Sequence, residues 1–419
     1  MRYLLPLFIS LFFIFTNPAM SQAEEMVTVK LVNYVGNASE LYLHINGTYF
    51  TTDPTLFLQE GVNYHITVKD GKFLIEGGGN TYELTSSLVL VPEHYDTSHY
   101  VKVNNRPYLG AMEIRLENNH LRPVNQLPIE DYLKGVVPFE VSPSWNLESL
   151  KAQTLAARTY TYAHYKKEMD DTTHFQVYGG FDWYANSTKA VEETQGEVIS
   201  YNNQLIEAFY SSSNGGITEN NANVWGGSPL SFFPIKKDPY DPINPWEISL
   251  QKTQIDMNKI NWENPHVWDL LEEKDTQITT NMKNWLTNKG YSGEIKILSI
   301  PHLEIANQRN ASNRSVKGSI EIEYLARLLE GTILYHKVSL HDVPVSTIRS
   351  MIGGTRFKSF LTNSMEYRND TYTLKGKGYG HGVGMSQWGA YMMGLKGKSY
   401  KEILQFYFPG TKITSPFSK

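Results

Sequence analysis

The segment GKGYGHGVGMSQWGA, residues 376–390, constrains the backbone of this chain more than any other stretch. Every even-numbered position from Gly376 to Gly384 is glycine, and the residues between them are Lys377, Tyr379, His381 and Val383. A period of two predicts a strand, here with one face that carries no side chains. Such a bare face lets either a flat ligand or another stretch of backbone come close. From the residues alone, both interpretations stay open.

The glycine segment matches none of the common phosphate or metal motifs. It lacks the G-x-x-x-x-G-K-[ST] pattern of a P-loop, and G-x-G-x-x-G fails at every glycine from 376 to 384. His381 has no other histidine within 30 residues, and the chain has no H-E-x-x-H sequence. We therefore predict no nucleotide, no metal and no other cofactor.

Composition restricts the partners and the compartment. A net charge of -5 provides no overall basic field for nucleic acid or an anionic membrane. Residues 1–23 are predicted to be a secretory signal peptide, because Arg2 precedes an apolar run, Leu4 to Phe15, that is short for a bilayer span. An uncleaved anchor is the alternative. We expect a secreted, extracytoplasmic protein without a stable membrane span after cleavage, and the absence of cysteine excludes disulfides and thiolate catalysis.

Residues 24–120 have the pattern of a small all-β module. Asn-Gly, Asp-Gly and glycine-rich turns separate seven short alternating runs, at 27–32, 41–45, 64–68, 72–77, 88–92, 100–104 and 112–117. No motif in this module indicates chemistry. We expect it to pack against the rest of the chain.

Helical patterns begin near residue 125. The sequence LPIEDYLKG predicts a short helix that Gly135 closes, and Pro138 argues against its continuation. Residues 146–169 predict a long helix with Asn146 as its N-cap. Strands are expected within 196–236 and 244–345, the latter together with a polar helix. Two short helices are expected after the glycine segment, the second with a capping box at 399–402.

Glu140 is a candidate general acid. It stands in the apolar sequence VVPFEVSP and is the only ionisable residue between Lys134 and Glu148. Burial among apolar neighbours raises the pKa of a carboxyl group, which then keeps a proton near neutral pH. An ordinary exposed loop glutamate is the alternative interpretation.

Arg158 and a serine-rich segment are further polar candidates. Arg158 lies in a small, apolar helical sequence, so it either reaches solvent or is paired inside, and Glu140 is a candidate partner. The segment SSSNGG, residues 211–216, has no G-x-S-x-G nucleophile elbow. Its serines are expected to donate hydrogen bonds or to form a turn.

Four stretches together resemble the SpoIID/LytB family of cell-wall proteins. They lie at 127–162, 190–219, 236–241 and 376–411, in the family's order, and the resemblance covers roughly residues 105–412. With the resemblance, the patterns predict an α+β fold. The small all-β N-terminal module precedes a mixed, β-rich catalytic domain at 121–419, in which a long helix flanks the cleft and 240–345 is a variable β/α insertion.

The resemblance implies peptidoglycan glycan strands as the substrate and a wall amidase as a further partner. Glu140 maps onto the family's catalytic glutamate. The family's motifs imply Arg158, Tyr379, His381 and Gln387 as substrate-binding residues. We also expect substrate to be bound by Tyr210, Ser212, Ser213 and Lys236. The chain departs from the family at Tyr210, where many members have histidine, and it has no cysteine to hold a metal there.

Three functions are compatible with these observations. The first is a lytic transglycosylase of the sporulation type, which cuts peptide-stripped glycan and forms 1,6-anhydro ends with Glu140 as both acid and base. It accounts for the lack of an obvious second carboxylate beside Glu140, which ordinary glycosidases need. The second is a non-catalytic wall-binding enhancer of an amidase, and the third is a glycosidase that uses water.

Overall fold

The computed structural model describes residues 25–415, and the predicted signal peptide at 1–23 lies outside the described residues. The chain begins with strands β1 (Met26–Lys30), β2 (Glu40–Asn46), β3 (Tyr49–Thr51), β4 (Asn63–Lys69), β5 (Lys72–Gly77), β6 (Asn80–Leu84), β7 (Leu88–Pro92), β8 (Tyr100–Val103), β9 (Arg106–Leu109), β10 (Ala111–Glu117) and β11 (His120–Pro128). All seven strands predicted in this part are confirmed. The alternation does not reveal β11, because most of its residues are buried on both faces.

Helix α1 (Ile129–Glu140) follows β11 directly and is longer than predicted. The expected stop at Gly135 is wrong, because the helix continues through Gly135 and Pro138. Val136 and Val137, in the part that was not predicted, are fully buried. Tertiary packing of this kind contributes more to helix stability than local propensity does.

Helix α2 (Leu147–His164) is the predicted long helix, and its cap is confirmed. The Asn146 side chain accepts a hydrogen bond from the Ser149 N–H at 3.0 Å. The helix ends before residue 169 because the chain there forms β12 (Met169–Asp170), which pairs in parallel with β1. Helix α3 (Ala185–Glu193) comes next and packs against α1 and α2.

The first twelve strands form two six-stranded sheets. Their orders are β12-β1-β11-β10-β7-β3 and β6-β5-β4-β2-β8-β9. Buried residues of both sheets and of α1 and α2 belong to one continuous hydrophobic core. The predicted boundary at residue 120 coincides with the first residue of β11, and β11 runs straight into α1. The N-terminal strands and the helix that carries Glu140 are therefore packed together.

The remaining elements are β13 (Val198–Tyr201), β14 (Gln204–Leu205), β15 (Tyr210–Ser211), α4 (Asn221–Trp225), β16 (Pro245–Gln251), α5 (Thr276–Asn288), β17 (Glu294–Ile305), β18 (Lys317–Arg327), β19 (Ile333–Pro344), α6 (Val345–Ile352), β20 (Thr362–Arg368), β21 (Thr371–Lys377), β22 (Met385–Ser386), α7 (Gln387–Leu395), α8 (Tyr400–Tyr407) and β23 (Lys412–Thr414). Two 3-10 turns also occur, at Met257–Lys259 and Val267–Leu270. Asn202 and Asn203 form the turn between β13 and β14, both with positive φ.

The elements from β16 to β21 form a second unit. Its sheets are β16-β21-β20 and β17-β18-β19, and α5 and α6 pack on them. A separate hydrophobic core extends from Trp246 to Leu374. The predicted insertion at 240–345 ends inside this unit, because α6, β20 and β21 share the same core.

The C-terminal elements return to α2. Helices α7 and α8 pack on it around a third core, beside the sheets β14-β13-β23 and β15-β22. Strands β15 and β22 pair in parallel, so the serine-rich segment lies beside the glycine segment. The capping box of Ser399 and Glu402 is confirmed, as is the α+β class. Within residues 25–415, no helix has the length and apolar character needed to span a membrane.

The glycine segment is not the strand that its alternation predicts. Strand β21 ends at Lys377, and the φ angles of Gly378, Gly380, Gly382 and Gly384 are +82°, +105°, +77° and +73°. Residues with a Cβ rarely adopt such angles. The period of two therefore marks alternating left-handed residues, which fold the chain into a tight loop.

Candidate active site

Glu140 is the last residue of α1, and its carboxyl group lies where three other parts of the chain meet. The Val177 N–H donates to Oε1 at 2.7 Å, and the Gln387 side chain donates to Oε2 at 3.5 Å. The Tyr210 hydroxyl also hydrogen-bonds to this carboxyl group. Burial raises the pKa of Glu140 to about 7, although these three hydrogen bonds oppose the rise. Among residues 25–415, no charged neighbour contributes to the shift.

Tyr210, whose hydroxyl contacts the Glu140 carboxyl group, is oriented by Gln176. The Gln176 amide donates to the Tyr210 hydroxyl oxygen at 3.2 Å, which leaves the hydroxyl hydrogen free for Glu140. Burial, and then the charge of Glu140, hold the pKa of Tyr210 well above its ordinary value, so the hydroxyl stays a donor. Gln176 lies outside α2 but is held against it, because its side-chain oxygen accepts a hydrogen bond from the Thr161 hydroxyl of α2 at 2.9 Å. No sequence motif distinguishes Gln176.

The loop that carries Val177 packs directly on α1. The Gly179 N–H donates to the Gly135 carbonyl at 2.8 Å. A Cβ atom on Gly135 would lie only 2.4 Å from the Gly180 carbonyl oxygen. Gly135 therefore does not end the helix. It is required because the loop approaches α1 closely at this position, and this approach brings the Val177 N–H to Glu140.

Arg158 pairs with Glu130 and not with Glu140. Its fully buried guanidinium donates from Nε and Nη2 to the Glu130 carboxylate at 2.8 and 2.7 Å. Its other hydrogen bonds go to α3 and to the turn after it. Glu130 and Glu140 lie ten residues apart on α1, roughly 15 Å along the helix. The predicted contact with Glu140 is therefore wrong, and Arg158 joins α1, α2 and α3 instead of facing a substrate.

The serine-rich segment joins β15 to α7. Ser213 is 1% exposed and donates its hydroxyl to Asp241 at 2.8 Å. The Ser386 hydroxyl donates to the same carboxylate at 2.7 Å. The Ser212 carbonyl accepts from the Trp388 N–H at 3.1 Å, while its side chain stays partly exposed. Of these predicted binding residues, Ser212 is open to a ligand, and Ser213 is engaged inside the fold.

Lys236 and Tyr379 have partners elsewhere in the structure. The Lys236 ammonium lies 3.7 Å from the centroid of the Phe406 ring and donates to the Phe406 carbonyl. The Tyr379 backbone exchanges hydrogen bonds of 2.8 and 3.0 Å with Ser213, and its side chain is partly exposed. Among the hydrogen bonds of residues 25–415, none joins Lys236 or Tyr379 to Glu140.

The bare side of the glycine segment faces the protein's own atoms. A Cβ atom on Gly382 would lie 2.0 Å from the Arg314 guanidinium, and one on Gly384 would lie 2.1 Å from the Phe209 carbonyl oxygen. Real Cβ atoms do not approach other atoms so closely. At these positions, close packing of the backbone, rather than space for a flat ligand, accounts for the glycines.

His381 is held neutral inside this loop. Its Nδ1 accepts from the Val383 N–H at 3.0 Å, and the ring also hydrogen-bonds to the Tyr210 carbonyl. Burial, and then the positive charge of Arg314, lower the pKa of His381 to about 4. The ring lies 5.1 Å from that of Trp225. His381 thus fixes the backbone of Tyr210 and does not exchange a proton near neutral pH.

A buried ionic network connects the second unit to the glycine segment. Glu219, 1% exposed, accepts from the side chains of Ser312 at 2.5 Å, Asn310 at 2.6 Å and Asn223 at 2.8 Å. Arg314, 2% exposed, lies 3.9 Å from the same carboxylate. No spacing in the sequence indicates this network. Within residues 25–415, no three His, Cys, Asp or Glu side chains are grouped so that they could hold a metal ion.

Comparisons with known proteins agree with this architecture. The SpoIID family model, described as "Stage II sporulation protein", matches residues 117–201, which include α1 and α2. The chain is 40% identical over 388 residues to the "Amidase enhancer" of Bacillus subtilis (strain 168), across 91% of this chain and 54% of that protein. It is also 28% identical over 314 residues to the "Stage II sporulation protein D" of the same organism, across 70% of this chain and 76% of the relative.

The chain spans about half the length of the amidase enhancer that it matches, 54% of it. The alignment nevertheless includes nearly all of this chain, and the family model covers the helix that ends at Glu140. The stretches that suggested the family from the sequence are therefore supported by independent matches. The protein belongs to the SpoIID/LytB family.

Proposed function

We propose that the protein is a lytic transglycosylase that acts on peptidoglycan outside the cytoplasmic membrane. Its substrate would be the bond between N-acetylmuramic acid and N-acetylglucosamine in glycan strands that have lost their stem peptides. The observation that carries the proposal is the setting of the Glu140 carboxyl group, which accepts hydrogen bonds from the Val177 N–H and the Gln387 side chain and whose pKa burial raises to about 7. At neutral pH a substantial fraction of this carboxyl group is protonated, as a general acid requires.

In the proposed reaction, Glu140 gives its proton to the glycosidic oxygen while the bond from that oxygen to C1 of the muramic acid breaks. The oxygen of the same sugar's 6-hydroxyl forms a new bond to C1. The Glu140 carboxylate then takes the proton that this hydroxyl loses. No water is consumed, one sugar ends as a 1,6-anhydro ring, and Glu140 returns to its protonated form.

The three hydrogen bonds to Glu140 suit this cycle. Glu140 is ionised only in the middle of the reaction, after the first proton transfer. The Val177 N–H, the Tyr210 hydroxyl and the Gln387 amide all donate to it, and donors favour the ionised form of a carboxyl group. Burial favours the neutral form, so the two effects keep both protonation states accessible.

The test is the Glu140→Gln variant with amidase-treated cell wall as substrate and mass spectrometry of the products. We expect the release of anhydro-ended fragments to fall roughly 10²–10⁴-fold, the usual loss for a general acid. Glu192→Gln is the matched control, because Glu192 is an exposed carboxylate on α3. Unchanged release by Glu140→Gln would refute the proposal, and products that carry ordinary reducing ends would indicate a glycosidase that uses water.

A second candidate is a wall-binding enhancer of an amidase. It is favoured by the 40% identity, over 91% of this chain, to a protein named an amidase enhancer. In that case Glu140→Gln should leave stimulation of the purified amidase unchanged. The two functions separate when the same variant is assayed for both activities.

A further inference from the structure

A cavity of about 370 Å³ lies on β3 and the loop that follows it, at one edge of the first sheet. Its inner side is apolar, since Tyr49, Leu56 and Leu58 line it and are at most 6% exposed. Phe50 and Phe57 line it from outside and are 57% and 73% exposed. Single exposed apolar residues are common on proteins, but two phenylalanines around an apolar cavity have the anatomy of an interaction site.

The loop that carries Phe57 is held in place by hydrogen bonds. The Tyr82 hydroxyl of β6 donates to the Phe57 carbonyl at 2.9 Å, and the Thr51 hydroxyl donates to the Leu56 carbonyl at the same distance. Leu56 and Leu58 are buried on either side of Phe57, so the phenylalanine between them is turned outward. A side chain on a backbone that is already fixed loses little conformational entropy when a partner covers it.

Carboxylates surround the two phenylalanines without basic partners. Asp53 and Glu60 line the cavity, and the Glu93 N–H donates to the carbonyl of Thr48, another lining residue, at 2.9 Å. None of the lining residues is Lys or Arg. Within residues 25–415, Asp53 and Glu60 accept hydrogen bonds from nearby N–H groups and form no ion pair. The surface around the cavity therefore has a negative charge that no neighbour compensates.

The negative charge extends over all the N-terminal strands. Residues 25–120 contain eleven Asp and Glu but only six Lys and Arg, a net charge of -5. Residues 121–419 contain 31 of each and are neutral overall. The net charge of the protein thus lies in the part that carries the cavity. Charge of one sign on one part of a protein attracts partners of the opposite sign and repels others.

This charge selects among the possible occupants of the surface. A second copy of the chain would bring the same acidic face to a two-fold contact, and its residues 121–419 offer no excess of positive charge. An anionic membrane would be repelled for the same reason. The occupant that fits is a protein with a basic surface, from which an apolar side chain enters the cavity between Phe50 and Phe57.

The cavity uses none of the residues of the candidate active site. In the order of the sheet, β3 is three strands away from β11, roughly 14 Å, and β11 is the strand that leads into α1. Binding at the cavity and chemistry at Glu140 can therefore be changed separately by substitution.

We infer that the surface formed by Phe50, Phe57, Asp53 and Glu60 is a docking site for a basic protein partner. The inference rests on the second candidate function for the identity of that partner, a wall amidase. It goes beyond that function because it assigns the contact to the N-terminal strands. It also specifies the contact surface of the amidase, which is basic around a protruding apolar side chain.

The test measures direct binding of the purified amidase by surface plasmon resonance at low and high salt, together with stimulation of the amidase. Phe57→Ser should raise the Kd about thirtyfold or more, the loss expected for an aromatic anchor. The double variant Asp53→Asn, Glu60→Gln keeps the accepting oxygens but removes both charges. It should slow association about tenfold at low salt and much less at high salt. Tyr335→Ser, at a tyrosine of β19 that is 57% exposed, is the matched control and should change neither quantity.

Equal binding of the amidase by the unmodified protein and by Phe57→Ser would overturn the inference, and so would the absence of direct binding. A dimer of the unmodified protein that Phe57→Ser converts to a monomer would also overturn it, because a second copy would then be the occupant.

Failure of the inference is distinguishable from failure of the second candidate function. Stimulation that Phe57→Ser leaves unchanged would retain the enhancer and refute the docking site. Binding that Phe57→Ser abolishes, without stimulation by the unmodified protein, would support the docking site and refute the enhancer.

Discussion

Replacing Glu140 by glutamine should make the stability of the protein less sensitive to pH. The folded protein holds a proton on Glu140 up to about pH 7, whereas an ordinary glutamate loses it near 4.5. Between these values the folded state binds more protons than the unfolded chain. The free energy of unfolding therefore falls as pH rises through this window. Glutamine has the shape of the protonated carboxyl group and carries no charge at any pH.

The magnitude follows from the shift in pKa. One pKa unit corresponds to 1.36 kcal/mol, so moving from 4.5 to about 7 corresponds to roughly 3 kcal/mol. Below pH 4.5 the free energies of unfolding of the variant and of the unmodified protein should differ by a constant amount. Above pH 7 the variant should be more stable by about 3 kcal/mol relative to that constant, because it does not bury a carboxylate.

Urea unfolding of both proteins at several pH values between 4 and 8 measures the difference in their free energies of unfolding. The contributions of all other titrating groups cancel in this difference, because both proteins contain them. The unmodified protein should lose the proposed transglycosylase activity above pH 7, where Glu140 is ionised. A difference in unfolding free energy that does not vary with pH would refute the raised pKa of Glu140. The assignment of Glu140 as the acid would then lose its physical basis.

Three further predictions concern the supports of the site. Arg158→Ala should lower the free energy of unfolding by about 3 kcal/mol, because it leaves the Glu130 carboxylate without its buried partner. A double variant with Glu130→Ala should lose less than the sum of the two single variants, and additive losses would contradict the pairing. Gly384→Ala should destabilise the protein clearly more than Gly397→Ala, since both have positive φ but only the former would clash with the backbone; equal melting temperatures would contradict this. The imidazole resonances of His381 should not change between pH 5 and 8, because its pKa is lowered to about 4; a titration near 6.5 would show that the ring is not buried as described.

Local sequence patterns were sufficient to predict the features that depend on neighbouring residues in the chain. Alternation and turn residues predicted seven strands of the N-terminal module, and Asn146 and Ser399 predicted two helix starts through their caps. The apolar neighbours of Glu140 also predicted the direction of its pKa shift. Each of these properties depends on residues within a few positions along the chain.

Other properties depend on residues far apart in the sequence, and there the local patterns were misleading. Gly135 read as a helix stop, but the loop at 179–180 packs against it. Arg158 read as a partner of Glu140, but Glu130 lies closer once α1 and α2 are packed. Helix propensity and charge pairing are weak compared with burial, so the packing of the helices decided both outcomes.

The sequence by itself determined the family, the α+β class and Glu140 as the candidate acid. Only the tertiary structure decided what the glycine segment does. Its period of two is compatible with a strand, but four of its glycines have positive φ, and the space beside Gly382 and Gly384 is filled by Arg314 and by the backbone of Phe209. The sequence records that no side chain fits there, whereas the atoms that occupy the space come from chain segments roughly 70 and 175 residues away.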